Sequence, residues 1–106
     1  MMNNIVKTFY ETKGNRDQIY DFILQHLLDL GKRVSPSILE IGTLRALTET
    51  SRKGDGWSSI HFAKELSRWG GKLYACDIKE ESIENCGKAL EALREDGCHF
   101  EYNLSV

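Results

Sequence analysis

Apolar residues recur every three or four positions between Arg16 and Leu30, at Ile19, Phe22, Ile23, Leu27 and Leu30. That spacing sets them along one face of a helix. Asp17 near its start suits the positive end of the helix dipole, and Gly31 would stop it as a left-handed cap. Ahead of it, Met1 to Asn15 is polar apart from Ile5, Val6, Phe9 and Tyr10 and reads as a loosely held arm. Past Pro36, which fixes the entry to the next element, the period changes. Ser37 to Thr43 is a short apolar run and reads as a strand. Gly56 to Trp69 reads as a helix with Ile60, Phe62, Ala63 and Leu66 mostly on one side, closed by Gly70 and Gly71. Lys72 to Ile78, "KLYACDI", is a second strand. Glu80 to Asp96 is a further helix with Ile83, Leu90 and Leu93 inward and Gly97 as its stop, and "HFEYNL", His99 to Leu104, alternates like a third strand.

The resulting order is helix, then strand-helix-strand-helix-strand. Alternation of this kind predicts parallel strands joined by right-handed crossovers, with helices on both faces of the sheet. The 106 residues allow one modest core, and no repeat or interdomain linker divides them. A formal charge of −2 gives no electrostatic reason to expect nucleic acid, which demands a basic face. No apolar run approaches the roughly 20 residues needed to span a bilayer, and the first residues lack the apolar centre of a signal peptide. Three cysteines, Cys76, Cys86 and Cys98, are an odd number without CxxC spacing. They suggest reduced thiols in a cytoplasm rather than a disulfide framework or a zinc site. His26, His61 and His99 fall on separate elements and read as surface or edge residues, with no metal set.

The chemistry concentrates in "ILEIGTLRALTETSRKGDGWSSIHFAKEL", Ile38 to Leu66. Ligands of open α/β sheets bind beyond the C-terminal ends of the strands, and the first strand finishes at Glu40-Ile41-Gly42-Thr43. Gly42 would let the backbone turn sharply and approach a ligand; Gly54 and Gly56 would do so at the mouth of the next helix. A carboxylate inside an apolar strand, Glu40, costs several kcal/mol if buried without a partner, so it calls for a partner or a wet pocket. Asp77 closes the second strand about twenty residues after Gly56, where an acid can accept from the vicinal hydroxyls of a ribose. A turn at Gly54–Gly56 and a helix cap at Asp77 are the plain alternatives. Trp57 is either a stacking surface or an anchor for the helix start.

"ILEIGT", "GDGWSSIHFAKEL" and "KLYACDIKEESI" together resemble the N-terminal half of a class I S-adenosylmethionine-dependent methyltransferase. The resemblance covers roughly Ser37 to Val106. It implies a Rossmann-like three-layer α/β unit with a parallel sheet of about three strands, truncated relative to the seven-stranded methyltransferase fold. Glu40, Gly42 and Thr43 match the start of that family's glycine loop, and Gly54, Gly56, Trp57, Ser58 and Ser59 match its end. It implies that the Gly42 and Gly56 backbone lies against the methionine part of S-adenosyl-L-methionine. It further implies that Glu40 orients the cofactor's amino group, Asp77 holds the ribose and Ile78 lies against the adenine. The organisation expected is one partial cofactor-binding domain over 1–106: an arm at 1–15, a flanking helix at 16–31, and a core at 37–106.

Two departures from the family pattern stand out. Leu44 to Lys53 interrupts the loop and reads as a polar excursion that stays in solvent, as a lid or a tolerated insertion. The chain also reaches Val106 just past the third strand, so residues that would shape the acceptor pocket and supply a catalytic group are not named. Without the family's fourth strand, the first strand would present an open edge. That edge invites a homodimer, or implies a missing C-terminal half. The acidic balance favours a small-molecule methyl acceptor. Other readings are a non-catalytic Rossmann-like interaction or oligomerisation module and an NAD-type dinucleotide unit. Glu40 near a pyrophosphate and the failed G-x-G-x-x-G spacing speak against the last.

Overall fold

The computed structural model describes residues 3–31 and 37–106, so Pro36 and the side chains of Leu27 and Leu30 lie outside the described residues. The elements run α1 (Asn4–Glu11), α2 (Asp17–Gly31), β1 (Ser37–Ile41), α3 (Glu49–Asp55), α4 (Ser58–Leu66), β2 (Lys72–Cys76), α5 (Glu80–Glu95) and β3 (Glu101–Ser105). The three strands form one parallel sheet in the order β1-β2-β3. Strands and helices alternate as the hydrophobic pattern predicts, and the result is a Rossmann-like α/β unit.

Side chains alternate across the pleat, so the register decides what each face presents. Ile38, Leu73 and Tyr102 align in one row, and Glu40, Ala75 and Leu104 in the next on the same face. α4 packs on that face over β1 and β2, and α5 over β3. The opposite face carries Leu39, Ile41 and Tyr74, which are 69%, 82% and 41% exposed. Helices on both faces, expected from the alternation alone, are not what forms. Two successive right-handed crossovers that step the same way along a sheet leave their helices on one face.

The N-terminal helices supply the outer layer, packing on helices rather than on strands. α1 contacts α5 and α3, and α2 contacts α4. The expected loose arm is therefore a folded helix. Asn3 caps it by accepting from the Val6 N–H at 3.0 Å while its Nδ2 donates to the Ala92 carbonyl at 2.8 Å, and Val6 and Phe9 are buried. α2 forms as predicted but turns its stripe outward: Ile19, Phe22 and Ile23 are exposed, while Tyr20 and Leu24 pack on the core. An apolar helix face is buried only where another element lies against it. Among the described residues, α2 packs chiefly on α4.

The polar excursion expected from Leu44 to Lys53 is instead built into the fold. Leu44 is buried, Thr48 caps α3 by accepting from the Ser51 N–H at 3.2 Å, and Arg52 of α3 is 3% exposed. Gly56 ends α3 in the left-handed region (φ +83°), and Trp57 at φ +54° carries the chain into α4. The helix predicted from Gly56 therefore begins at Ser58.

Candidate functional site

β1 and β2 end side by side, with Ile41 opposite Cys76. The Gly42 N–H then donates to the Cys76 carbonyl at 2.8 Å, and Gly42 adopts φ +88° to leave the sheet. This conformation, and not crowding, calls for glycine, since a Cβ there would meet nothing within 4 Å. Asp77 ties the two strand ends together. Its Oδ2 accepts from the Thr43 N–H at 2.8 Å and the Thr43 hydroxyl at 3.2 Å, and its Oδ1 accepts from the Lys79 N–H at 3.0 Å. The N–H groups of Lys79 and Thr43 hold the Asp77 carboxyl below the usual carboxylate range. Three of roughly four acceptor positions on this carboxylate are thus occupied, and the adjacent Ile78 N–H adds a weaker pull.

Glu40 belongs to the covered face of β1 and is buried. The Ser58 and Ser59 hydroxyls, from the first turn of α4, both donate to its carboxylate. Burial pushes the Glu40 carboxyl above its ordinary value, the nearby Asp77 charge adds to the rise, and the serine bonds oppose it. Behind Ser59, burial pushes the Cys86 thiol up to about 11, which makes it an inert packing residue.

Around these strand ends opens a cleft of about 600 Å³ lined by Arg16, Tyr20, Glu40, Ile41, Gly42, Thr43, Arg45, Ser58, Asp77, Ile78, Lys79 and Ser82. Six residues named from sequence therefore meet there: Glu40, Gly42, Thr43, Ser58, Asp77 and Ile78. Ser59 reaches the same place only through Glu40. Gly54, Gly56 and Trp57 are not in the lining. Gly54 is exposed on α3, and Gly56 faces the Tyr20 ring, where an added Cβ would lie 2.7 Å away. Trp57 is 1% exposed and its indole N–H donates to the Ser51 hydroxyl at 3.2 Å, so it anchors the start of α4.

Sequence reasoning missed Arg16, Tyr20, Arg45, Lys79 and Ser82. A signal for the first two exists in their i, i+4 spacing at the start of α2. Arg45 is placed by α5, whose Asn85 amide donates to the Leu44 and Arg45 carbonyls at 3.4 and 2.9 Å.

The α2 wall is fixed by a buried ion pair. Arg52 donates from Nη1 and Nη2 to the two Asp17 carboxylate oxygens at 2.8 and 3.1 Å, from Nε to the Phe9 carbonyl at 3.0 Å, and from Nη1 to the Gly56 carbonyl at 3.1 Å. Asp17 also accepts from the Gly14 N–H at 2.9 Å and lies 3.1 Å from His61 Nε2. Burial works against the Asp17 carboxylate, but the bonds from Arg52 and Gly14 outweigh it and keep its pKa below the ordinary value. Burial pushes the His61 imidazole down, helped by the Arg52 charge and opposed by Asp17. One guanidinium thus joins α1, α2, α3 and the α3–α4 junction.

A groove of about 610 Å³ at the other end of the sheet, lined by Gly70, Gly71, Arg94, Cys98, His99, Phe100 and Glu101, is a weaker candidate. It lies toward the N-terminal ends of the strands, away from where α/β ligands bind. Its Arg94 is engaged, lying over the Phe100 and Tyr102 rings and donating to the Phe100 carbonyl at 2.7 Å. Among the described residues no helix is long and apolar enough to cross a membrane. Comparison with protein-family models, curated proteins and solved structures finds no match. The fold by itself is that of a generic Rossmann-like unit with a cleft at the C-terminal ends of its first two strands.

Proposed function

We propose that this cleft binds the adenosyl group of S-adenosyl-L-methionine and that the chain is the cofactor-binding part of a methyltransferase acting on a small-molecule acceptor. The observation that carries the reading is the meeting of Glu40, Gly42, Thr43, Asp77 and Ile78 in one cleft, from two strand ends 34 residues apart at the Thr43–Asp77 contact. In this reading the bare Gly42 backbone lies against the methionine part. The Glu40 carboxylate takes the ammonium group, Asp77 takes a ribose hydroxyl with its remaining acceptor position, and the exposed Ile78 side chain lies against adenine. Ser58 and Ser59 hold Glu40 in place. Gly56 and Trp57 act behind the cleft, the first by admitting Tyr20 and the second by anchoring α4.

The reaction would be in-line transfer of a methyl group. The carbon–sulfur bond of the sulfonium breaks, a bond to the acceptor nucleophile forms, and sulfur keeps the electron pair. The contribution of these residues is positioning, which lowers the entropic part of the barrier. Calorimetric titration tests the proposal. S-adenosylmethionine and S-adenosylhomocysteine are expected to bind the folded protein and NAD is not; no heat with either sulfur ligand overturns it.

A second reading, a non-catalytic interaction module, is favoured by one observation. Leu39 and Ile41 stand exposed on the outer face of β1, and its second edge pairs with no strand among the described residues. Such an edge takes a further strand, from a second copy or from additional polypeptide. Sedimentation at rising concentration separates the cases: self-association supports a second copy, and a strictly monomeric folded protein refutes it.

A further inference from the structure

Ser82 sits in the first turn of α5, three residues after the N-cap Lys79. A polar residue at that position ordinarily reaches back to the N-cap N–H. Here that N–H is already given to Asp77 Oδ1 at 3.0 Å, so the local partner is taken. The Ser82 residue is 3% exposed, lines the cleft, and its hydroxyl bonds to no other group among the described residues. The oxygen is not sealed in, and the residue that carries it lines the cleft. Buried hydroxyls nearly always have partners, and one left over beside a cleft calls for a partner from outside the chain.

Asp77 shows what that partner needs. With Thr43 and Lys79 occupying three positions, the carboxylate has room for one more donor. A vicinal diol presents two. We propose that Ser82 is the second anchor of a ribose in this cleft: Asp77 takes one hydroxyl and the Ser82 hydroxyl takes its neighbour. The inference rests on the adenosyl reading and adds a residue and a specificity to it. Selection for ribose over deoxyribose is divided between a β2 carboxylate and an α5 hydroxyl. The site then pairs both vicinal hydroxyls of the ribose, and a ligand lacking the second hydroxyl leaves Ser82 unpaired again.

The experiment compares wild type with Ser82→Ala, using S-adenosylhomocysteine, adenosine, 2′-deoxyadenosine and 3′-deoxyadenosine as titrants. Ser82→Ala is expected to weaken adenosine and S-adenosylhomocysteine by about five- to tenfold, the effect of one net hydrogen bond. Its melting temperature should be unchanged or higher, because the hydroxyl has no partner in the free protein. One of the two deoxynucleosides should bind wild type and variant equally, at the weakened level, whereas the other keeps the difference. An affinity for adenosine within twofold of wild type overturns the role of Ser82 and leaves the adenosyl reading standing. An equal loss against both deoxynucleosides also overturns it, because a merely structural effect would not distinguish them. Failure of wild type to bind S-adenosylhomocysteine and adenosine overturns the adenosyl reading and this inference together.

Discussion

Arg52→Ala is expected to be the most damaging single change outside the apolar core. The guanidinium is nearly sealed from solvent and makes four hydrogen bonds, two to Asp17 and one each to the Phe9 and Gly56 carbonyls, with the Phe9 ring 4.5 Å from its carbon. Truncation removes all of these and leaves an acid and two carbonyls short of donors. Breaking a buried ion pair from one side typically costs about 3–5 kcal/mol. The lower end applies here, since the Asp17 side chain is 20% exposed and keeps Gly14 and His61 as partners. A loss of about 3 kcal/mol is large against the roughly 5–15 kcal/mol that holds an ordinary domain. Urea unfolding followed by far-ultraviolet circular dichroism measures it. Arg52→Lys should recover only part of the loss, because an ammonium cannot match both carboxylate oxygens and two carbonyls at once. The deficit should also persist at high salt, where an exposed pair would be screened. A loss under about 1 kcal/mol, or one that vanishes in salt, refutes the placement of Arg52 as the joint between the N-terminal helices and α4.

Four further changes probe individual groups. The folded value of His61 lies below 6.5, so the unfolded chain takes the proton first, and stability should fall as pH drops through 6.5 toward the folded value. Thermal unfolding between pH 7 and 5 checks this, and a His61→Asn variant should lose that part of the slope. The folded value of Glu40 lies above 4.5, so its ionisation weakens the fold as pH rises from 4.5 through that value. Glu40→Gln should therefore gain on wild type in melting temperature between pH 4.5 and 8, while S-adenosylhomocysteine affinity falls about tenfold or more. A variant that loses ground on wild type with rising pH contradicts the burial of that charge. Gly56→Ala combines a left-handed backbone with a Cβ 2.7 Å from Tyr20 and should cost about 1–3 kcal/mol; Gly42→Ala, equally left-handed but open, should cost less. Equal costs in urea unfolding would mean that Tyr20 yields freely.

The sheet was legible in the sequence because its strands are short apolar runs bounded by glycines and polar turns. Helical periodicity likewise marks α2, α4 and α5. The site was legible where a residue sits at a strand end, as Glu40, Gly42, Thr43 and Asp77 do, since topology alone puts strand ends together. Where position depends on packing, the pattern was silent. In α3 the Thr48 cap and the charged Glu49 and Lys53 resemble a solvent loop, while the buried Arg52 and the Ser51 hydroxyl under Trp57 draw that segment inward. In α1, Val6 and Phe9 sit one helical turn apart, but an eight-residue helix is too short to announce itself without the partners that bury it. Ser82 had no signal, because an unpartnered hydroxyl is a property of its neighbours.

The uncovered face of the sheet is not uniform, and its gradient bears on how the cleft works. On β3 the outward positions are Glu101, Asn103 and Ser105, suited to water; on β1 they are Ser37, Leu39 and Ile41, of which the last two are not. A sheet written to stand with one bare face would alternate polar outward on every strand. The apolar outward positions lie instead at Tyr74 of β2 and, most exposed, on β1, one of the two edge strands among the described residues, and Ile41 among them also lines the cleft. Any polypeptide that covers Leu39 and Ile41 therefore adds a wall to the ligand site. Under the adenosyl reading, association at β1 and ligand affinity are linked, and by reciprocity each must favour the other to the same degree. Titration of S-adenosylhomocysteine at increasing protein concentration should show tighter binding as self-association proceeds, and Ile41→Asp should abolish that dependence. An affinity independent of concentration across a proven association would mean that the partner covers β1 without reaching the cleft.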